Sequence, residues 1–181
     1  GQVLTHRPLV VDADVAAART LPSSFYLDAA MFERVRERVH ARSWQWIGDL
    51  ADMAEPGSLS PRTLLAGHLD EPLLLARDEA GALRCLSNVC THRGKVLVEA
   101  PCRASGIRCG YHSRRFDLTG RMTFMPGFEG ACDFPSAADH LPQLPLGLFE
   151  PCGGHAFASI APAASFDDTF GVIADRLAWL P

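Results

Sequence analysis

The stretch NVCTHRGKV, residues 88–96, sets Cys90 and His92 one residue apart and follows them with Arg93, Gly94 and Lys95. Two metal-binding side chains so close are a poor pair for one ion by themselves, so partners are expected elsewhere. They occur downstream in CGYHSRRFD, residues 109–117, where Cys109 and His112 are separated by two residues. The full pattern is C-x-H, a sixteen-residue spacer, then C-x-x-H. Each half falls where a strand gives way to a glycine-containing loop, so two loop tips could each present one thiolate and one imidazole.

Three readings fit those residue types. Packed thiols and satisfied histidines explain any one of the four, but poorly explain all four in two loops. Tetrahedral zinc accepts two Cys and two His, although finger-type sites usually put both Cys in one half and both His in the other. A [2Fe–2S] centre of the Rieske type holds one iron with two Cys and the other with two His. Ligands interleaved across two loops suit that centre best, with Cys90 and Cys109 on one iron and His92 and His112 on the other.

The rest of the chain sets bounds on this reading. Its 181 residues, 48% of them hydrophobic, make one well-buried domain. No apolar run is long enough to span a membrane, and the N-terminus lacks a secretory layout, which points to the cytoplasm. Residues 84–121 carry eight cations against Glu99 and Asp117, a net +6 in a chain of net −4. Such a patch is either a solvated face or a docking surface for an acidic partner. Nucleic acid is excluded as a partner, since the balance is acidic and no aromatic-interleaved basic motif occurs. Cys85, Cys102, Cys132 and Cys152 are expected as reduced thiols, some of them buried in strands.

Element by element, DAAMFERVRERVHAR reads as a surface helix capped by Asp28, with Phe32, Val35 and Val39 at helical spacing. From Trp44 onward, short apolar segments alternate with turns: SWQWIG, SLSPRTLLAG, EPLLLARD, LRCLSNV, SGIRCG, RRFDLTG and HAFASIA. DEAG and DLTG are expected as tight turns. Residues 124–147 form an excursion rich in Pro and Gly, expected to tuck Phe124, Phe128 and Phe134 beneath it. A final helix is expected from about Ser165. The fold class is mostly β and antiparallel, with an N-terminal and a C-terminal helix.

CTHRG and CGYHSRRFDLTGR resemble the Rieske fingerprint of the aromatic-ring-hydroxylating oxygenase α subunits, whose usual form is C-x-H-R-G-x-x-L followed by C-P-Y-H-G-W-x-[FY]-D. The likeness extends to SFYLDAAMFERVRERVHARSWQWIGDL and to ARDEAGALRCLSNVC, the hairpin into the first loop. It implies a Rieske domain of three small antiparallel sheets with its [2Fe–2S] cluster at loop tips, held by Cys90, His92, Cys109 and His112. It also divides the chain into an N-terminal segment (1–42), the Rieske domain (43–162) and a helix leading toward a catalytic domain (163–181).

In that family a reductase or ferredoxin supplies electrons. They pass to a mononuclear Fe(II) in the catalytic domain of the same or a neighbouring subunit, typically within a trimer. The implied activity is that of an EC 1.14-type monooxygenase or dioxygenase. The two-His-one-carboxylate iron site is expected only in the full-length protein. His6, His40, His68, His140 and His155 are scattered and read as surface or core. A stand-alone Rieske-type ferredoxin is the alternative.

Ser113 and Arg114 stand where the family more often has Gly and Trp. Arg114, with Arg93, Lys95 and Tyr111, is expected either to support the cluster or to form part of a docking surface. Lys95 and Tyr111 occupy the places where respiratory-chain Rieske proteins carry loop-bridging cysteines, and Arg114 and Phe116 those of their cluster-bonding hydroxyls. Fewer donors to sulfur imply a potential in the lower part of the Rieske range of about −150 to +300 mV.

Overall fold

The strand β3 (Glu71–Arg77) reads EPLLLAR, with consecutive apolar residues where a half-exposed strand would alternate. Successive side chains of a strand point to opposite faces, so such a run needs cover on both sides. The computed structural model, which describes residues 9–150 and 154–180, provides that cover. Leu73 and Leu75 enter one core with Ile47, Met53, Leu64 and Ala156. Leu74 and Ala76 enter a second core with Leu86, Cys90, Cys109 and Phe116.

Three antiparallel sheets follow from this. The central one is ordered β4 (Leu83–Ser87), β3, β2 (Ser58–Leu64) and β5 (Cys102–Arg103). One core lies between it and a sheet of β1 (Gln45–Asp49), β10 (His155–Ala158) and β9 (Leu146–Phe149). The other lies between it and a small sheet of β6 (Ile107–Arg108), β7 (Arg115–Phe116) and β8 (Met122–Phe124). Both expected tight turns form. Gly81 N–H donates to Asp78 C=O (2.9 Å) between β3 and β4, and Gly120 N–H to Asp117 C=O (3.1 Å) between β7 and β8.

Two helices, α1 (Ser23–Leu27) and α2 (Ala29–Arg38), precede the sheets, and the Asp28 carboxylate caps α2 by accepting from Ala30 N–H at 2.8 Å. The expected apolar face of α2 is only partly used. Phe32 and Val39 remain 52% exposed, and Met31 is the residue that goes inside. Instead Phe32 meets His68 edge-on at 4.9 Å, and His68 meets His40 at 5.0 Å. The C-terminal helix α3 (Phe166–Leu177) starts at Ser165, whose hydroxyl accepts from Asp168 N–H. Phe166 and Phe170 join Trp44 and Phe157 in an aromatic cluster that seats α3 on the β1–β10–β9 sheet. Gly147 in β9 makes this possible, because a Cβ there would overlap the Phe166 ring.

Residues 124–147 depart from expectation. Phe134 packs against the core, but Phe124 and Phe128 stay exposed, the first beneath the Arg115 guanidinium and the second against Phe134. The excursion also begins in β8 and ends in β9, and carries a short 3-10 helix (Ala137–Asp139). Of the extra cysteines, Cys85 is buried in β4, while Cys102 and Cys132 are exposed free thiols. Cys152 and His6 lie outside the described residues.

Candidate metal centre

Two loops at one edge of the second core have the same backbone construction. In the first, Cys90 N–H donates to Lys95 C=O (2.8 Å) and Gly94 N–H to Cys90 C=O (3.0 Å). In the second, Cys109 N–H donates to Arg114 C=O (2.8 Å) and Ser113 N–H to Cys109 C=O (3.0 Å). The residue four beyond each cysteine is left-handed: Gly94 at φ +69° and Ser113 at φ +61°. That is why the position suits glycine. Ser113 takes the same conformation with its hydroxyl held by Arg108 Nη2 at 2.9 Å.

These turns aim the sequence-selected side chains at one another. Cys90 and Cys109 are both buried, with their thiols near enough to bear on each other's ionisation. The His92 and His112 rings stand edge to face with centroids 4.8 Å apart. His92 Nδ1 is buried without a hydrogen-bond partner. Tyr111, 58% exposed, lies over the His112 ring with centroids 3.7 Å apart.

The electrostatics suit metal ligation. Burial opposes ionisation of Cys109, but N–H groups of Tyr111 and His112 donate to its sulfur and bring the thiol below its ordinary range. Burial pushes the Cys90 thiol up, and the neighbouring Cys109 adds to this, so one of the pair ionises first. Burial, followed by the charges of His112, Arg114 and Arg93, lowers the pKa of His92 and so favours the neutral form in which imidazole binds metal.

The remaining expected residues divide by position. Arg93 and Lys95 are exposed at the first tip, and Lys95 pairs with Glu99 at 2.9 Å. Arg114 is only 3% exposed and so lies beneath the loops, not on a docking face. Its Nη1 donates to Thr91 Oγ1 (2.8 Å) and pairs with Asp139 Oδ1 (3.2 Å). Sequence reasoning missed three supporting residues. Asn88 closes the first loop from inside, its amide donating to Val98 C=O (2.7 Å) and accepting from Val98 N–H (3.0 Å). Thr91 and Asp139 were the others. Asp139 was signalled by the S-x-x-D capping pattern at Ser136, which forms as a capping box.

The donor set fits a binuclear cluster better than a single ion. Zinc needs its donors around one point. Among the described residues, no three His, Cys, Asp or Glu side chains converge in that way. The side chains instead form a sulfur pair and an imidazole pair, and an unpartnered ring nitrogen is buried between the loops.

Sheets stacked in this order, with paired thiols and imidazoles on two matched loops, define an iron–sulfur electron-transfer domain. Residues 43–143 match the Rieske [2Fe–2S] domain family, and the chain belongs to it; its cofactor is the [2Fe–2S] cluster. The chain is 30% identical over 154 residues to the carnitine monooxygenase oxygenase subunit of Escherichia coli (strain K12), covering 84% of itself and 39% of that protein. It is 31% identical over 135 residues to the biphenyl 2,3-dioxygenase subunit alpha of Rhodococcus jostii (strain RHA1), covering 69% of itself and 28% of the relative. A solved quaternary ammonium Rieske monooxygenase, described in terms of carnitine oxidation by gut microbiota and inter-subunit electron transfer, superposes with a TM-score of 0.74 at 26% identity. That likeness covers 88% of this chain and 42% of the other. The chain therefore spans well under half the length of these relatives.

Proposed function

We propose that this chain is the electron-entry domain of a Rieske-type terminal oxygenase, with Cys90 and Cys109 holding one iron of the cluster and His92 and His112 the other. The observation that carries the reading is the matched pair of loops, each offering one buried thiol and one imidazole. When bound, the cluster supplies a one-electron store. The chain's own residues do the rest. Asn88, Gly94 and the loop hydrogen bonds fix the backbone around the site. Backbone N–H groups of His92 and Tyr111 donate to the cysteine sulfurs, favouring thiolates over thiols. The second core excludes water from the inner side, and the outer imidazole edges form the way out for the electron.

The electron donor in this reading is a reductase or ferredoxin that docks where Arg93 and Tyr111 are exposed. The acceptor is a mononuclear iron in a catalytic domain of the same or a neighbouring subunit, within a trimer. That assembly would perform mono- or dioxygenation. Its substrate is either a quaternary ammonium compound, as in the description of the solved monooxygenase, or an aromatic compound such as the biphenyl of the second relative's name. The free thiols suit a reducing cytoplasm, and no helix among the described residues is long and apolar enough to cross a membrane.

Anaerobic reconstitution with iron and sulfide tests the assignment. The wild-type chain and Cys102→Ser should take up two irons each and show the same visible and paramagnetic resonance spectra. Cys90→Ser, His92→Ala, Cys109→Ser and His112→Ala should each lose them. A His92→Ala or His112→Ala chain with an unchanged spectrum would overturn the ligand set.

A further inference from the structure

We infer that the buried Arg114 and the half-buried Asp139 form a charge-compensated clamp that ties the two ligand loops together and sets the potential of the cluster they hold. This rests on the proposed function, but the observations behind it are separate. Arg114 belongs to the second loop, where its C=O accepts from Cys109 N–H. Its guanidinium reaches the first loop at Thr91, which lies between Cys90 and His92. It is anchored to a third segment by Asp139.

Each partner is fixed in turn. The Thr91 hydroxyl donates to Asp139 C=O at 2.7 Å. The Asp139 carboxylate accepts from Ser136 N–H (2.9 Å) and Ser136 Oγ (2.8 Å), and the Phe134 ring lies 5.6 Å from the guanidinium. One cation therefore joins the segments around Cys90, Cys109 and Asp139 without facing solvent.

A buried guanidinium is a costly way to fill space, and an apolar side chain would fill it with no desolvation penalty. What the cation adds is an electric field at the cluster. The guanidinium bonds Thr91, the residue between Cys90 and His92, so that field acts beside one candidate ligand of each iron. Reduction adds a negative charge there. A cation favours the reduced state and a carboxylate opposes it, so the two members of the clamp should move the potential in opposite directions. A unit charge acting across roughly 10 Å at an effective dielectric constant near 20 shifts an equilibrium by about tenfold.

The test uses the 181-residue chain in two states. In the cluster-loaded chain, Asp139→Asn leaves the cation uncompensated and should raise the potential. Arg114→Gln leaves the carboxylate uncompensated and should lower it. Each shift is expected near tenfold in the reduced-to-oxidised ratio, about 59 mV for a one-electron couple. Arg114→Lys should restore most of the potential, and the double variant should return toward the wild type. Potentials that do not move, or that move in the same direction in both single variants, overturn the clamp's electrostatic role.

In the cluster-free chain, thermal unfolding of the same single and double variants tests the tie itself. The double variant should melt no lower than the worse single one, and strictly additive losses overturn the tie. A wild-type chain that takes up no cluster would refute the proposed function, while the cluster-free cycle would still decide the clamp.

Discussion

Asn88 offers the sharpest test of how the first loop is built. Its side-chain amide makes both hydrogen bonds that a neighbouring strand would otherwise make to Val98, and both are buried. Asn88→Leu keeps the branching and heavy-atom count of the side chain, with more bulk, but removes donor and acceptor together, leaving the Val98 N–H and C=O without partners. An orphaned buried polar group costs about 1–3 kcal/mol, so the pair should cost about 2–6 kcal/mol, with some relief where the loop opens to water. Taking about 3 kcal/mol and a urea m-value of about 2 kcal/mol/M, the unfolding midpoint should fall by about 1.5 M. Urea titration of the cluster-free chain, followed by circular dichroism, measures that shift. Amide hydrogen exchange at Val98 reports the same opening locally, protected in the wild type and fast in the variant. A variant within about 0.5 kcal/mol of wild type, the range of an ordinary surface substitution, would refute the argument that this amide holds the loop shut.

Other expectations follow from the same physics. Gly94 is left-handed and a Cβ there would meet nothing within 4 Å, so Gly94→Ala should cost only the conformational penalty of about 1–2 kcal/mol, read by thermal unfolding. Gly147→Ala is a steric case, because the new methyl must displace Phe166. It should cost about 1–3 kcal/mol and weaken the near-ultraviolet dichroism of the aromatic cluster while leaving the iron spectrum unchanged. Burial opposes ionisation of Asp78, but Arg84 at 2.8 Å and Ala82 N–H outweigh it and hold the carboxyl below its ordinary range. Its folded pKa is thus depressed, so its contribution is complete above about pH 4 and is lost as pH falls through the folded value. Asp78→Asn should be less stable near neutrality and show a shallower decline in acid, measured by melting temperature against pH. The potential should lie in the lower part of the range of about −150 to +300 mV, since the Thr91 hydroxyl is occupied by Asp139 C=O and leaves sulfur to backbone donors. A redox titration giving more than about +100 mV on that scale would contradict this.

How far the molecule could be read from sequence depends on the distance over which its signals act. Cys90, His92, Cys109 and His112 stood out because metal chemistry restricts residue type and spacing together. The apolar run EPLLLARD marked a strand, but its cover on both faces depends on two sheets built from distant segments. The strands β5 and β6 contain two residues each, too few for any period to register. The face of α2 was overestimated because periodicity shows which residues share a side but not whether anything covers it. Arg114 was the hardest case. An arginine inside a basic stretch suggests solvent, and its burial depends on Asp139, 25 residues away and brought close by the path of 124–147. Only the capping pattern at Ser136 hinted that the carboxylate would be held in place.

The closed turns around Cys90 and Cys109 also bear on speed. Each is completed by two main-chain hydrogen bonds of its own, so the polypeptide need not rearrange when the charge beside it changes. In electron transfer, the energy of relaxation of the surroundings is a main source of the barrier. Here that relaxation is left to water and to flexible side chains at the outer rim, where Arg93 and Tyr111 stand. A docking protein that dries this rim would then bring the donor closer and also remove much of the medium that must reorient.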